Sequence, residues 1–360
     1  MIKDRVVDVF FVLLRAGLWN RPVESTASFP LSDTEWDSLF QLAVQQTVEG
    51  IVYDGLESID VAFLPPRKTR FEWFARIEHI ERRNDKINTI LAEQVVFFSD
   101  RGLHPLLLKG QALAACYHNP TRRICGDIDW YFDNEHAYNE ASDVIALAGI
   151  DLIKVAGSSV CYVWKDSDID HHRHLFDIHN PFVYRYLRRL EREETASSLR
   201  INDISVSIPS PMLQMIQVNV HILKHLLSFG IGLRQLCDAA RVYATYVGQV
   251  DGTKLKQVYR KLGISRWIMV LHKLLVTYLG MPKSNLPFPL ATAVSADWMM
   301  QDILTAGNFG FHDERFLTKG KNERTRKGQR LWRSFLIYFR YAPMEAICFP
   351  LVHWYSGLTK

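Results

Sequence analysis

Two aspartates one residue apart, Asp127 and Asp129, stand in the apolar run Gly126-Asp127-Ile128-Asp129-Trp130. Side chains on a strand alternate with period two, so both carboxylates project from one face, about 6–7 Å apart along the backbone. Acids so placed suit a divalent cation such as magnesium, which takes oxygen ligands from one or two carboxylates together with substrate phosphates. Upstream, Leu106-Leu107-Leu108-Lys109-Gly110-Gln111 reads as a strand that turns into a helix. Backbone N–H groups at such a start favour an anion, and Gly110 permits close approach of backbone to phosphate. The combination suits metal-dependent phosphoryl or nucleotidyl transfer, in which two ions stabilise the attacking and leaving oxygens.

A third carboxylate would complete the cage. Asp177 is the candidate, in a strand expected over 171–179 and flanked by apolar Phe176 and Ile178. An acid there needs a reason to be tolerated, and metal ligation is one. It would also act as general base on an acceptor hydroxyl, or place that hydroxyl on the metal. Asp168 and Asp170 are rivals, read as members of a polar loop that begins at Lys165. Lys109, Gly110 and Gln111 are candidates for phosphate contact. The Arg123 guanidinium would serve developing phosphate charge, with Arg122 as a neighbour able to substitute. His221, Lys224 and His225 fall at i, i+3 and i+4 on one helix face, which either contacts nucleotide or acceptor or is simply solvated. His171, His172, His174 and His179 do not make a zinc site, because alternation splits them between two faces and no cysteine accompanies them.

The elements that must position these residues fall into three stretches. Residues 1–100 read as helical, with a helix start at Ser32-Asp33-Thr34-Glu35 and a long helix from 67 to 100 carrying Phe71, Phe74, Ile77, Ile80, Ile87, Ile90 and Val95 at helical spacing. Residues 101–210 mix short strands with two or three helices and form the catalytic core. Residues 211–360 return to helices, starting at Pro211, and include a basic tract over 319–333; Pro343 and Pro350 are expected to break any long helix near the end. The fold class expected is α+β: a small mixed sheet flanked by helical regions.

Bulk composition sets bounds. The 360 residues are 48% hydrophobic and 23% charged, with a net charge of +4, ordinary for a soluble globular chain and too mild to announce a nucleic-acid binder. The basic tract, seven Lys and Arg from Lys319 to Arg333 against Glu323 alone, is either a solvated loop or a site for an acidic partner such as RNA or an anionic membrane surface. Five cysteines without a CxxC pair argue against a disulfide framework and for a reducing cytoplasm. No uninterrupted apolar stretch of membrane-spanning length occurs.

The order Lys109-Gly110, then Arg123-Ile124-Cys125-Gly126-Asp127-Ile128-Asp129, then an acid on a later strand resembles the nucleotidyltransferase superfamily with the DNA polymerase beta fold. More narrowly it resembles a bacterial nucleotidyltransferase family with Leu-Lys-Gly and Arg-x-x-Gly-Asp-Ile-Asp motifs. His221-x-x-Lys224-His225 and Leu233-Arg234-Gln235-Leu236-Cys237-Asp238 are similar to that family's helical C-terminal part. The resemblance, over about 30–280, implies a mixed-sheet catalytic core and magnesium, with manganese as a substitute, at Asp127, Asp129 and Asp177. It implies transfer of a nucleoside monophosphate from an NTP such as ATP, with loss of pyrophosphate, to an acceptor that is a small molecule, a protein or RNA. Gln111 departs from the superfamily's usual Gly-Ser or Gly-Gly. A non-catalytic nucleotide- or partner-binding module on the same fold is the alternative.

Overall fold

The structure is a computed structural model, and it describes residues 4–155, 159–290, 295–313 and 323–358. The N-terminal part is helical, as expected: α1 (Arg5–Trp19), α2 (Asp33–Gln45), α3 (Glu49–Leu56) and α4 (Arg67–Ser99). The start of α2 is a capping box, in which Ser32 Oγ accepts from the Glu35 N–H and the Glu35 carboxylate accepts from the Ser32 N–H. The stripe on α4 differs from the expected one. Phe71 and Phe74 are 72% and 50% exposed, and the buried row runs through Trp73, Ile77, Ile80, Asn84, Ile87, Leu91 and Phe98. Phe71 lies two residues, or 200° of helix rotation, from Trp73, on the far side from the core.

The mixed region supplies β1 (Leu106–Leu108), α5 (Gly110–Ala114), β2 (Ile128–Tyr131), α6 (Glu135–Leu147), β3 (Ile153–Val155), β4 (Ser159–Trp164), β5 (Ser167–His172), α7 (Tyr184–Glu193), β6 (Ser197–Ile201) and β7 (Ile204–Ile208). The first five strands form one sheet in the order β1-β2-β5-β4-β3. Only β2 and β5 run parallel; β1, β4 and β3 are antiparallel to their neighbours. The expected α+β class with a mixed sheet therefore holds. One strand is displaced. The segment expected over 171–179 is β5 at Ser167–His172, and residues 173–180 are loop. Lys165 and Asp166, both at positive φ (48° and 64°), form a two-residue hairpin between β4 and β5, so the supposed polar loop is a tight turn followed by strand.

The C-terminal part is α8 (Pro211–Ser228), α9 (Leu233–Tyr246), α10 (Gly252–Lys261), α11 (Ser265–Thr277), α12 (Asp297–Ala306), α13 (Glu323–Tyr338) and α14 (Pro343–Leu358). The helical run is interrupted after α13 and resumes with Pro343 in the first turn of α14, where a proline forfeits no helical hydrogen bond, whereas Pro350 lies inside α14 and does not end it as expected. Of the basic tract, Lys319 and Lys321 lie outside the described residues. Arg333 Nη2 reaches Asp302 Oδ1 at 2.6 Å, and Arg330 lies 3.8 Å from Asp313.

Two apolar clusters hold the molecule together. One joins α1–α3 and the first half of α4 to α8–α14. The other lies beneath the sheet and joins β1, β2, β4 and β5 to the second half of α4, through Ile87, Ile90, Leu91 and Phe98. With 33 residues, α4 is about 50 Å long and serves both. Among the described residues no helix is long and apolar enough to cross a membrane.

Candidate active site

Alternation on β2 and β5 sorts side chains between the core and a cleft. Ile128 and Trp130 on β2, with Ile169 and His171 on β5, face the lower cluster. His171 is wholly buried there against Tyr162 Oη (3.0 Å), and burial drives its imidazole down to about 3. Asp127, Asp129, Asp170 and His172 face the other way, into a cleft of about 510 Å³. Parallel pairing puts Asp129 directly beside Asp170. Ligand atoms of Asp129, Asp170 and His172 lie within 4.8 Å of one another. The acid standing next to Asp129 in the sheet is thus Asp170, which the sequence reading placed in a loop.

Lys109 follows β1, whose last residue Leu108 pairs with Asp129 of β2, and stands at φ 43°. Its Nζ lies 2.9 Å from Asp129 Oδ1, which His172 Nε2 also approaches at 2.6 Å. Gly110 follows at φ 36°, and a Cβ there would meet the Asp127 carbonyl oxygen at 3.1 Å, so the turn favours glycine twice over. α5 is a single turn of five residues, shorter than the helix expected over Gly110–Tyr117. Gln111 does not face the cleft. It is buried, its Nε2 donates to the Asn84 carbonyl (3.3 Å), and its Oε1 accepts from Cys125 Sγ (2.9 Å). Asn84 of α4 also donates to the Thr121 and Arg123 carbonyls, and so fixes the loop leading to Asp127.

The charges in the cleft are strongly coupled. Burial pushes Asp129 upward, but Lys109 and His172 outweigh it and hold the carboxyl below the usual range. Asp127, facing Asp129 and partly buried, is pushed up to about 6. Asp170 is raised by burial and then by Asp129. Burial works against the Lys109 ammonium, yet Asp129, Asp177 and Asp127 together keep it protonated far beyond its ordinary value.

Arg123 is at the cleft wall but is held from behind. Its Nε and Nη2 donate to Asp238 Oδ1 and Oδ2 at 3.0 and 2.6 Å, and Tyr117 Oη adds a bond to Asp238 at 2.7 Å. Arg123 and Asp238 are both buried, so the pair is a clamp between the Asp127 loop and α9. Arg122 is likewise engaged, by Glu81, Glu57 and Asp54. The arginine that remains is Arg234, at the start of α9. It lines the cleft, donates from Nη1 to the Ile124 carbonyl (2.7 Å), and no carboxylate among the described residues pairs with it. Burial, and then Arg123, lowers its hold on its proton. Arg83 of α4 also lines the cleft.

Asp177 lies in the loop after β5. Its Oδ2 accepts from His221 Nδ1 and its Oδ1 from Lys224 Nζ, both at 2.7 Å. His221, Lys224 and His225 do share one face of α8, and all three line the cleft. The structure therefore gathers Lys109, Gly110, Arg123, Asp127, Asp129, Lys224 and His225 at one cleft, with Asp177 behind Lys224, and leaves Gln111 outside. Asp170 and Asp168, the rivals to Asp177, both line the cleft, together with His172, Arg234 and Arg83. The strand pairing that brings Asp170 in spans 41 positions and has no local signal.

The sequence profile of a family described as an uncharacterised nucleotidyltransferase matches residues 32–280. No curated protein matches the chain. A solved structure, an antigenic nucleotidyltransferase-like protein from Paracoccidioides brasiliensis, aligns with 14% identity over 58% of this chain and 96% of its own, at a TM-score of 0.35.

Proposed function

The chain belongs to the family of uncharacterised nucleotidyltransferases, and from that premise we propose that it moves a nucleoside monophosphate from an NTP to an acceptor hydroxyl, releasing pyrophosphate, with magnesium or manganese. The observation that carries this reading is the cluster of Asp129 and Asp170 on neighbouring strands with Asp127 just before β2, open to a cleft that also holds Lys109, Lys224 and Arg234. The donor set fits a hard divalent ion: it is dominated by carboxylate oxygens, and Asp129, Asp170 and His172 can converge on one point. Asp127, Asp129 and Asp170 would hold the ion, which when bound stabilises charge on the attacking and leaving oxygens.

The rest of the work falls to the chain's own groups. Lys109 is protonated at any physiological pH and sits beside the acids, so it can shift from Asp129 to a phosphate oxygen as a triphosphate arrives. Arg234, with no carboxylate partner among the described residues, supplies a second cation for the phosphate chain. Arg123 contributes by holding α9, and hence Arg234, against the Asp127 loop. Residues 101–210 serve as the catalytic core between helical regions at 1–100 and 211–360. A cytoplasmic setting fits five cysteines that are all free thiols.

Calorimetric titration with each NTP tests this assignment. Binding should require magnesium or manganese, and Asp129→Asn should weaken it at least tenfold. NTP binding that is undiminished in EDTA, or that is equal in wild type and Asp129→Asn with the metal present, would count against it. The double engagement of Asp129 by Lys109 and His172 supports a second reading, a nucleotide-binding module without turnover. That reading predicts NTP binding with no pyrophosphate release.

A further inference from the structure

One wall of the cleft comes from the turn after α12, residues 307–310. Gly307, Phe309 and Gly310 all stand at positive φ, 65°, 50° and 63°. Glycine adopts that backbone freely, but a phenylalanine at φ 50° and ψ 22° is strained, because its Cβ crowds the following carbonyl. The turn is held in this shape from outside. Gln235 Nε2 of α9 donates to Asn308 Oδ1 at 3.1 Å, and Arg330 of α13 donates to the Gly310 carbonyl. A Cβ on Gly310 would collide with the Phe229 carbonyl oxygen, so the chain there admits no side chain. Glycine at 309 would satisfy the same backbone without strain. What position 309 supplies beyond glycine is the ring, and strained residues of this kind collect at ligand sites.

Phe309 is half-buried and lines the cleft. His225 of α8 meets its ring at 59° with centroids 4.8 Å apart, and Phe311 meets it at 80° and 6.3 Å. These steep contacts brace the ring, and no described ring stacks parallel on it. Its neighbours place it beside the cations of the cleft. The bonded pair Gln235 and Asn308 adjoins Arg234 and Phe309 in sequence, so the guanidinium without a carboxylate partner and the ring belong to one stretch of wall. Lys224 precedes His225, the residue against which the ring rests. Asp168 and Asp170 come from β5 instead. Cations followed by an open aromatic ring match a ligand with phosphates followed by a planar apolar group, which is the order of groups in a nucleoside triphosphate.

We propose that Phe309 is the platform on which the nucleobase of the NTP stacks, and that the donor is a purine nucleoside triphosphate. This rests on the nucleotidyl-transfer reading above and names its donor. Every base has a π-face and can stack on an aromatic side chain. The bicyclic face of adenine or guanine covers more of a phenyl ring than a pyrimidine does, so a single ring of this kind reads base size. The family profile ends at residue 280, so the platform is supplied by the later helices of this chain, which hold the turn through Arg330.

Calorimetric titration of the full chain in magnesium, with the four NTPs and inorganic tripolyphosphate as probes, separates the ring's part from that of the phosphate-binding cations. Wild type should bind ATP and GTP more tightly than CTP and UTP. Phe309→Ala should weaken ATP binding roughly 5–150-fold, leave tripolyphosphate binding within about twofold, and erase the purine preference. Phe309→Leu keeps the bulk and the backbone strain but lacks the ring, and should behave as Phe309→Ala does. Phe309→Trp should keep the affinity for ATP, and its added indole fluorescence should be quenched by ATP and not by tripolyphosphate. Equal weakening of ATP and tripolyphosphate, with a fall in melting temperature, would mark the ring as merely structural. Unchanged ATP affinity in both Phe309→Ala and Phe309→Leu would place the base elsewhere. Either result overturns the platform and leaves the transferase reading standing. Failure of the wild type to bind any NTP or tripolyphosphate would overturn the transferase reading itself, and the platform with it.

Discussion

Two neighbouring carboxylates behave differently here because Asp129 is bonded by Lys109 and His172, while on Asp127 the repulsion of Asp129 and burial outweigh Lys109 and Arg234. Asp129 accepts from Lys109 and His172 and stays ionised, whereas Asp127 is forced up to about 6 by Asp129 and by burial. The folded value of Asp127 lies above its ordinary 3.8, so its contribution to stability is full below about pH 4 and is lost as pH rises through 6. Asp127→Asn should therefore melt roughly 2–4 °C above wild type at pH 7.5, with the gain vanishing near pH 4; a pH-independent difference would contradict the coupling. The same proton must leave before a cation can use Asp127, so metal affinity should climb between pH 5 and 7 and then level off. Asp170→Asn should lower pyrophosphate release by about 100-fold or more, as loss of a metal ligand does. Melting temperature, read alongside, separates this from unfolding.

At the scale of elements, the site depends on clamps that reach it from three sides. The Arg123–Asp238 pair ties the Asp127 loop to α9, and both partners are buried. Arg123→Ala strands Asp238 and should destabilise by about 3–5 kcal/mol in denaturant unfolding, whereas replacing both partners with apolar residues should restore most of that. Glu345 of α14 accepts from the His179 and Asn180 N–H groups at 2.9 and 2.8 Å, pinning the loop that carries Asp177. Glu345→Ala should speed hydrogen exchange at those two amides and weaken the fold by about 1–3 kcal/mol; unaltered exchange would show that the loop holds itself.

These elements also show what a sequence can disclose. Ser32-x-x-Glu35, the period-two placement of Asp127 and Asp129, and the shared face of His221, Lys224 and His225 are local patterns, and each was legible. Asp170 was not, because its place beside Asp129 comes from a parallel pairing between β2 and β5. The turn before it, Lys165-Asp166, adopts positive φ without glycine or asparagine and so gave no hairpin signal. Gln111 turns away from the cleft, and Arg123 lines it while clamped to Asp238, for a related reason: a polar residue beside a motif can face the site or the core, and only the packing of α4 and α9 decides which.

Taken whole, the molecule is a small sheet held between helices that come from both ends of the chain, with α4 running through both apolar clusters. The family match ends at residue 280, yet Phe309 packs on His225 and Glu345 binds the Asp177 loop, so the later helices belong to the site's support. Ligation by the cleft should stabilise the entire fold: a magnesium–NTP complex at 100 times its Kd adds about 2.7 kcal/mol, visible as a rise in Tm that EDTA reverses. The most direct measurement is pyrophosphate release from each of the four NTPs with magnesium or manganese and a cell extract as acceptor source, comparing wild type with Asp129→Asn. The account predicts release by the wild type with at least one NTP, dependent on the metal and lost in the variant. Release that persists undiminished in Asp129→Asn, or NTP binding by the wild type with no release at all, would contradict it.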